Sequence, residues 1–234
     1  MWLISNKERV EDSGLLEGFC DCHSHLLPGV DDGVKETTET MLILERWEQL
    51  GVREVWMTPH IMEDYPNEPA MLKEKFEAVC NHYSGHMKLH LASENMMDGL
   101  FTKRLENDDF LTFGETEKRL LVETSYYIPP MNMEELIDQM KAKGYEPILA
   151  HPERYQYMGT RDYRYWKQKG VLMQLNVPSL GGAYGQEVQR KAEWMLSHDM
   201  YDCMGTDTHS IEQTDYFLRS IISKKLIKKI KKLF

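Results

Sequence analysis

The sequence predicts an α/β fold in which seven βα units build a closed or nearly closed barrel. Seven short apolar runs recur along the 234 residues, and segments with helical spacing of apolar residues separate most of them. Strands that alternate with helices form parallel sheets. The sequence has no glycine-rich dinucleotide-binding fingerprint, so the barrel is favoured over an open, doubly wound sheet.

The predicted strands are the apolar runs themselves, at residues 19–22, 52–57, 88–92, 119–122, 147–150, 171–176 and 201–205. The predicted helices are the amphipathic segments between them, at residues 37–50, 69–83, 133–143, 162–169 and 187–198. In the first helix, Leu44 and Trp47 recur at helical spacing, and Gly51 marks the end. Gly144 and Gly170 mark the ends of two others in the same way.

Length and charge indicate a single acidic domain. We treat residues 1–234 as one domain, with an N-terminal extension at 1–18 and a Lys-rich tail at 224–234. The 28 basic and 38 acidic side chains give a net charge of −10, which argues against nucleic-acid binding. Six lysines and no acid lie in the tail, where we expect a solvated helix end or a frayed terminus. Contact with anionic lipid is the alternative for this tail.

The sequence predicts a cytoplasmic protein without stable membrane insertion. No apolar run approaches the roughly 20 residues that a membrane-spanning helix needs. The first residues lack the long apolar core of a signal peptide. Four cysteines in 234 residues are too few for a disulfide framework, so we expect reduced thiols.

Side chains that bind metals lie where the first predicted strand ends. Asp21, His23 and His25 alternate there, and a period of two places them on one face of the strand. Two imidazoles two residues apart at a strand end are a natural pair of ligands for one metal ion. A turn with Asp31 and Asp32 follows and brings a free carboxylate.

Five further strands also end on a histidine or an acid, and only the sixth strand ends on Asn176, a poor metal ligand. Because the active sites of such barrels lie at the carboxyl ends of the strands, we expect these side chains to converge. Together they form a set of nine candidate metal ligands: His23, His25, Asp32, His60, Glu94, Glu123, His151, Asp207 and His209.

Nine ligands are too many for one metal ion with an open position, but they suit two or three ions bridged by carboxylates. No cysteine is placed among them, so a thiolate zinc site is not predicted. Imidazole and carboxylate together fit manganese, iron or zinc. Three divalent ions outweigh the four ligand carboxylates by about two positive charges, which favours a phosphate over a neutral substrate.

The order of these motifs resembles the PHP (polymerase and histidinol phosphatase) superfamily, and within it the bacterial capsule-type protein-tyrosine phosphatases. The similarity covers about residues 19–210. The motifs that carry it, in chain order, are DCHSHLLPGVDDG at 21–33, TPH at 58–60, Glu94, LTFG at 111–114, Glu123, HPERY at 151–155, QLNVPS at 174–179 and GTDTH at 205–209.

This resemblance implies a distorted (β/α)7 barrel, the PHP fold, around two to three divalent metal ions. Manganese is the usual metal, with iron and zinc as alternatives. The ligands that the resemblance assigns to the first ion are His23, His25, Glu94 and Asp207. Those of the second ion are Glu94, Glu123 and His151, and those of the third are Asp32, His60 and His209.

The resemblance also implies a reaction and a partner. The family's substrates are phosphotyrosines on the tail of a membrane-bound bacterial tyrosine autokinase that controls capsule or exopolysaccharide synthesis. Arg154 of the HPER motif is expected to face the substrate phosphate, and Glu94 and Asp207 are expected to be essential for turnover. The sequence has no Cys-x5-Arg phosphatase loop, so we expect a hydroxide that bridges the metal ions as the nucleophile. Residues 126–130 (YYIPP) form either an aromatic rim for the substrate ring or a packing loop.

Three other functions stay open at this point. Another PHP phosphoesterase, such as histidinol-phosphate phosphatase, has the same kind of metal site. An amidohydrolase also uses paired histidines at a barrel mouth, but it places a modified lysine where this sequence has Glu123. The third is a catalytically silent module that docks on the kinase, and the presence of all nine ligands argues against it.

Overall fold

The computed structural model describes residues 6–114 and 118–233. Residues 1–5 of the predicted N-terminal extension and Phe234 of the predicted tail lie outside the described residues, as do residues 115–117. The strands are β1 (Lys7–Arg9), β2 (Cys20–Ser24), β3 (Glu54–Met57), β4 (His60–Ile61), β5 (Lys88–Leu91), β6 (Glu94–Met96), β7 (Arg119–Glu123), β8 (Glu146–Leu149), β9 (Leu172–Asn176), β10 (Cys203–Gly205) and β11 (Ile221–Ser223). The helices are α1 (Thr37–Gln49), α2 (Pro69–His82), α3 (Gly99–Asn107), α4 (Met133–Ala142), α5 (Thr160–Gln168), α6 (Val177–Leu180), α7 (Gln186–Ser197), α8 (Ile211–Arg219) and α9 (Lys224–Ile230).

A curled parallel sheet in two parts forms the centre of the fold. Strands β10-β9-β8-β7-β6-β4 are hydrogen-bonded neighbours in that order, and β2-β3-β5 form the second part. Every one of these pairs is parallel. The predicted α/β fold with parallel strands is therefore confirmed.

The second and third predicted strands are present as β3 and β5, and each is followed after a short break by a second strand segment, β4 or β6, that the sequence analysis does not predict. β3 stops before Pro59, which has no backbone N–H to continue a ladder, and β4 begins at His60. Ala92 and Ser93 separate β5 from β6. β4 and β6 pair with each other, with His60 opposite Glu94. The interruptions thus place two candidate ligands side by side.

Backbone hydrogen bonds join the first predicted strand to the last. The Asp207 N–H donates to the His23 carbonyl at 2.8 Å, and the His25 N–H donates to the Thr208 carbonyl at 2.9 Å. These bonds lie at the carboxyl ends of β2 and β10. The loop after β10 is therefore held against the end of β2.

Buried side chains lie on both faces of the curled sheet. Leu120, Val122 and Leu149 belong to the larger core, to which the helices contribute. Their neighbours Leu121 and Ile148 belong to a smaller cluster on the opposite face. This alternation is the period of two that a sheet buried on both faces requires. The smaller cluster lies inside the curl and contains Cys22, Ala92, Phe113 and Ala150 as well.

A close approach of β10 to β2 makes Gly205 a sensitive position. A Cβ at residue 205 would lie 2.5 Å from the His23 Cβ and 2.7 Å from the His23 backbone nitrogen. We expect Gly205→Ala to lower the melting temperature by roughly 3–10 °C, because overpacking costs about 1–3 kcal/mol in a chain of this size. Thermal unfolding measures this. Gly159→Ala is the matched control, since its nearest contact is 3.9 Å away, and an equal loss in both variants would contradict the explanation.

The ends of the described chain pack together, which the sequence analysis does not predict. β1 and β11 form an antiparallel pair, with Lys7 opposite Ser223. In α9 the side chains of Ile227 and Ile230 are buried. Of the two expectations for the tail, residues 224–230 form a helix end and not a frayed terminus, because this apolar face anchors a helix in which Lys225 and Lys228 are exposed. Within the described residues, none of the helices has the length and apolar character to cross a membrane.

Candidate metal centre

All nine candidate ligands converge at the carboxyl ends of the parallel strands. Eight of them lie in a strand or within four residues after one, and Asp32 lies in the loop after β2. Seven of the nine are buried, while Asp32 is exposed and His209 is partly exposed. The site is therefore a buried cluster of imidazoles and carboxylates that opens at Asp32 and His209.

The first group contains His23, His25, Glu94 and Asp207. The two Nε2 atoms of the histidines are 3.1 Å apart, and Glu94 Oε2 lies 3.1 and 3.2 Å from them. Asp207 Oδ1 lies 3.5 and 3.4 Å from the same nitrogens. An ion about 2.1 Å from each ligand atom sets neighbouring ligand atoms roughly 3.0–3.4 Å apart. The spacing in this group thus matches the ligand shell of one metal ion.

The second group is centred on two carboxylates. Glu94 Oε1 lies 3.0 Å from His151 Nε2, and Glu123 Oε2 lies 3.9 Å from the same nitrogen. His60 Nδ1 lies 3.1 Å from Glu123 Oε1 and 3.3 Å from Glu94 Oε2. Glu94 thus contacts both the first and the second group, as a bridging carboxylate would.

The third group lies at the mouth of the cluster. Asp32 Oδ1 is 3.4 Å from His60 Nε2 and 3.6 Å from His209 Nε2. The ring of His209 stacks on that of His25, with 4.0 Å between centroids. His25 belongs to this group as well as to the first, and His60 belongs to it as well as to the second.

Buried atoms without a partner indicate that the cluster needs cations. Within the described residues, His60 Nδ1, Glu94 Oε2 and Glu123 Oε1 have no hydrogen-bond partner. Both carboxylate oxygens lie within 3.3 Å of that nitrogen. Burying polar atoms unsatisfied costs about 1–3 kcal/mol each, and more for charged groups. A divalent cation would satisfy all three atoms at once, so the donor set fits metal ions.

The pKa values show how strongly the carboxylates attract positive charge. Burial lowers the pKa of His23, but the Glu94 and Asp207 charges overcome this and raise that pKa to about 9. Burial alone would raise the pKa of Glu94, yet the charge on His23 holds it well below its usual range. At the mouth, burial and the charge on His25 lower the pKa of His209 to about 4. The electrostatics of this cluster therefore favour cations.

Two residues outside the predicted set orient the histidines. The Asp31 carboxylate lies 2.8 Å from His25 Nδ1 and directs His25 Nε2 into the first group. Gln174 Oε1 lies 3.1 Å from His23 Nδ1 and accepts from the His151 N–H at 3.0 Å. Partners of this kind fix the ring orientation of metal-binding histidines. Asp31 precedes Asp32 in the DDG turn and Gln174 opens QLNVPS, so both lie in motifs that the sequence already marks.

Removing the orienting carboxylate tests this arrangement. We expect Asp31→Asn to weaken metal binding by roughly 10- to 100-fold, as is typical of losing an orienting partner of a histidine ligand. Calorimetric titration of the metal-free protein with Mn²⁺ measures the affinity. The control Asp64→Asn changes an exposed acid in the loop after β4. Equal affinities in the two variants would show that Asp31 does not act through His25.

Asp21 does not join the ligands, and the prediction that it shares their face is wrong. Its carboxylate accepts from the Thr206 N–H at 2.9 Å, the Thr206 hydroxyl at 2.6 Å and the His23 N–H at 3.1 Å. The reason is a register shift in β2 after Asp21, which breaks the period of two. Burial raises the pKa of Asp21 to about 6 despite these hydrogen bonds. Asp21 ties β2 to the end of β10.

The backbone at two strand ends adopts an uncommon conformation. His151 has φ of 33° and Asp207 has φ of 54°, both in the left-handed region. Residues other than glycine rarely occupy this region, and such positions cluster at functional sites. These two strand ends turn sharply and bring their side chains into the cluster.

Arg154 lies beside the first group. Its guanidinium forms an ion pair with Asp207 Oδ2, and Asn176 Nδ2 donates to the same oxygen at 3.0 Å. The guanidinium carbon lies 4.5 Å from the ring centroid of Tyr126 and 4.3 Å from that of Tyr184. Asp207 thus directs one oxygen towards the histidines and the other towards Arg154. Tyr184 is outside the predicted set, since its contact with Arg154 depends on the loop after α6.

The fold and the site define an α/β protein with clustered side chains that could hold metal ions, and comparison with known families agrees. Residues 19–232 match the family model described as "Capsular polysaccharide synthesis, CpsB/CapC". The chain belongs to this family, and the resemblance to capsule-type phosphatases is confirmed.

Three bacterial relatives are similar to this chain over most of their length. The chain is 25% identical to the tyrosine-protein phosphatase YwqE of Bacillus subtilis, over 84% of this chain and 79% of YwqE. It is 26% identical to the putative tyrosine-protein phosphatase CapC of Staphylococcus aureus, over 89% and 84% of the two chains. It is 24% identical to the tyrosine-protein phosphatase CpsB of Streptococcus pneumoniae, over 92% and 94%.

A solved structure has the same fold. It comes from the work described as "Crystal structures of YwqE from Bacillus subtilis and CpsB from Streptococcus pneumoniae, unique metal-dependent tyrosine phosphatases". The TM-score is 0.79 at 23% sequence identity, and the match covers 92% of this chain and 87% of the solved chain.

Proposed function

We propose that this protein is a metal-dependent protein-tyrosine phosphatase. The observation that carries the proposal is the convergence of nine imidazoles and carboxylates, seven of them buried, beside Arg154, with three buried polar atoms left without hydrogen-bond partners. The relatives named above support phosphotyrosine as the substrate. They favour it over histidinol phosphate, the alternative that the metal site alone leaves open.

We further propose two to three divalent ions at this centre, with manganese favoured over iron and zinc. The three groups of ligand atoms support up to three ions, and mixed imidazole and carboxylate donors fit all three metals. His23, His25, Glu94 and Asp207 would hold the first ion. Glu94, Glu123 and His151 would hold the second ion, which His60 also faces through Nδ1. Asp32, His60 and His209 would hold the third.

The reaction needs charge neutralisation and a nucleophile. When bound, the metal ions would lower the pKa of water and offset the charge of the phosphate. Arg154 binds the phosphate oxygens through the N–H groups that Asp207 leaves free, and its planar fork suits this task. Asp207 holds the guanidinium in place. Cys22 is buried in the inner cluster and does not begin a Cys-x5-Arg loop, which supports water as the nucleophile.

The tyrosine leaving group needs little proton donation from the protein. Tyrosine has a pKa of about 10, far lower than that of an alkyl alcohol, so its oxygen departs with little proton donation. Phosphotyrosine therefore needs less help from a general acid than phosphoserine does.

The complete barrel is also a proposal. We infer that the two parts of the sheet belong to one distorted (β/α)7 barrel within a single domain. The hydrogen bonds between the ends of β2 and β10 and the pairing of β4 with β6 support this closure.

We propose that the protein acts in the cytoplasm on the phosphotyrosine tail of a membrane-bound bacterial tyrosine kinase. The family's association with capsular polysaccharide synthesis supports this partner. The four cysteines are all free, as is usual for cytoplasmic proteins.

Hydrolysis of two substrates tests the proposed function. We expect the Mn²⁺-loaded protein to release phosphate from a phosphotyrosine peptide, and to do so much faster than from histidinol phosphate. Excess EDTA should abolish the release. Faster hydrolysis of histidinol phosphate would favour the alternative, and hydrolysis that resists EDTA would contradict a metal-dependent enzyme.

A further inference from the structure

A groove opens directly beside the candidate metal centre. It has a volume of about 320 Å³ and lies against Thr206 and Thr208, the residues on either side of Asp207. Pro178 and Tyr184 line it from the segment after β9, and Tyr216 lines it from α8. The groove therefore borders the chain segment that carries Asp207.

The lining of the groove suits a flat, uncharged ring. Tyr184 and Tyr216 provide aromatic surface, and Pro178 provides apolar surface. Tyr216 is 57% exposed, so its ring is available for contact. Among the described residues of the lining, Glu212 is the one charged side chain. Its carboxylate disfavours a second anionic group on the substrate.

Tyr184 connects the groove to the proposed phosphate site. Its ring faces the groove and also lies 4.3 Å from the Arg154 guanidinium carbon. Asn176 Nδ2 donates to the Tyr184 hydroxyl at 3.2 Å and to Asp207 at 3.0 Å, which fixes the ring relative to the ligands. A phosphate ester bound at Arg154 therefore has its organic group next to Tyr184.

We propose that this groove holds the phenyl ring of the substrate phosphotyrosine, and that Tyr216 is a specificity-determining residue. The proposal rests on the proposed function and adds the place of the ring to it. Ring-to-ring contact with Tyr216 favours an aromatic phosphate over an aliphatic one by roughly tenfold. The groove is also open at Tyr216, so the peptide on either side of the phosphotyrosine continues into solvent there.

The opposite rim offers a different position for the ring. Residues 126–130 follow β7, and Tyr127 and Ile128 are 67% and 71% exposed. Tyr126 packs on Arg154 as Tyr184 does, but none of residues 126–130 lines the groove. The exposed Tyr127 is therefore a matched control, because it is the same residue type at the other edge of the same site.

Binding of two phosphonates to the Mn²⁺-loaded protein tests the proposal. Phenylphosphonate and methylphosphonate carry the same anionic group and resist hydrolysis, and calorimetry measures both affinities. We expect the native protein to bind phenylphosphonate about tenfold more tightly. Tyr216→Ala should bring this ratio close to one without changing the affinity for methylphosphonate, and Tyr216→Phe should restore it. Tyr127→Ala should keep the native ratio.

The outcomes distinguish a failure of the groove proposal from a failure of the proposed function. A native ratio in Tyr216→Ala, or a lost ratio in Tyr127→Ala, would overturn the groove proposal and leave the phosphatase proposal intact. If the native protein binds neither phosphonate nor inorganic phosphate, the proposed function fails and the groove proposal fails with it. Because Tyr216 is exposed, an unchanged melting temperature should accompany Tyr216→Ala.

Discussion

Glu94→Gln is expected to reduce turnover of a phosphotyrosine peptide by roughly a thousandfold or more, beyond the loss typical of an orienting partner. Glu94 Oε2 lies 3.1 Å from His23 Nε2 and 3.2 Å from His25 Nε2, while Oε1 lies 3.0 Å from His151 Nε2. One side chain therefore contacts two groups of ligands. The amide keeps the shape of the side chain but removes its charge and leaves one oxygen, so it cannot bridge two cations.

Steady-state kinetics at saturating Mn²⁺ measures this loss, and elemental analysis of the same sample measures its cause. The bound metal should fall together with turnover. Glu74→Gln, an exposed acid on α2, is the control and should behave as the native protein. Native turnover in Glu94→Gln would show that Glu94 does not bind the metal ions. It would contradict the assignment of the first two groups.

Arg154→Lys is expected to reduce kcat/KM for the same peptide by roughly a hundredfold while the metal content stays native, similar to the loss of one electrostatic stabiliser in other enzymes. The guanidinium lies between the rings of Tyr126 and Tyr184 and pairs with Asp207 Oδ2. A lysine ammonium has no planar fork, so it cannot contact Asp207 and two phosphate oxygens in the same geometry.

This expectation distinguishes Arg154 from the ligands. A variant that loses activity but keeps its metal has lost contact with the substrate, whereas a variant that loses both has lost the centre. Arg161→Lys changes an exposed arginine on α5 and should have no effect. If Arg154→Lys also empties the metal centre, Arg154 serves the structure through Asp207 rather than the phosphate.

Most of the site could be predicted from the residue types at the ends of the predicted strands. In a parallel sheet the carboxyl ends of all strands meet at one edge, so a histidine or acid at each end must lie near the others. This reasoning placed His60, Glu123 and His151 in one cluster although they are far apart in sequence. It needed neither exact strand boundaries nor a complete set of helices, so the helices that the sequence analysis missed did not affect it.

Contacts that depend on loops and on backbone irregularity were not predictable. Asp21 leaves the ligand face because β2 shifts register, and a period of two cannot reveal that. Tyr184 reaches Arg154 from a loop more than twenty residues away. α3 was missed although Asp98 accepts from the N–H groups of Leu100 and Phe101, as an N-cap does. That signal was present in the sequence.

The central claim is that this cluster binds two to three metal ions on which phosphotyrosine hydrolysis depends. Its most direct test strips the protein of metal, adds back Mn²⁺ in steps, and follows bound metal and hydrolysis of a phosphotyrosine peptide together. We expect saturation at two to three ions per chain, with hydrolysis returning as these ions bind. A protein that binds no Mn²⁺, or that hydrolyses the peptide equally well without it, would contradict the claim.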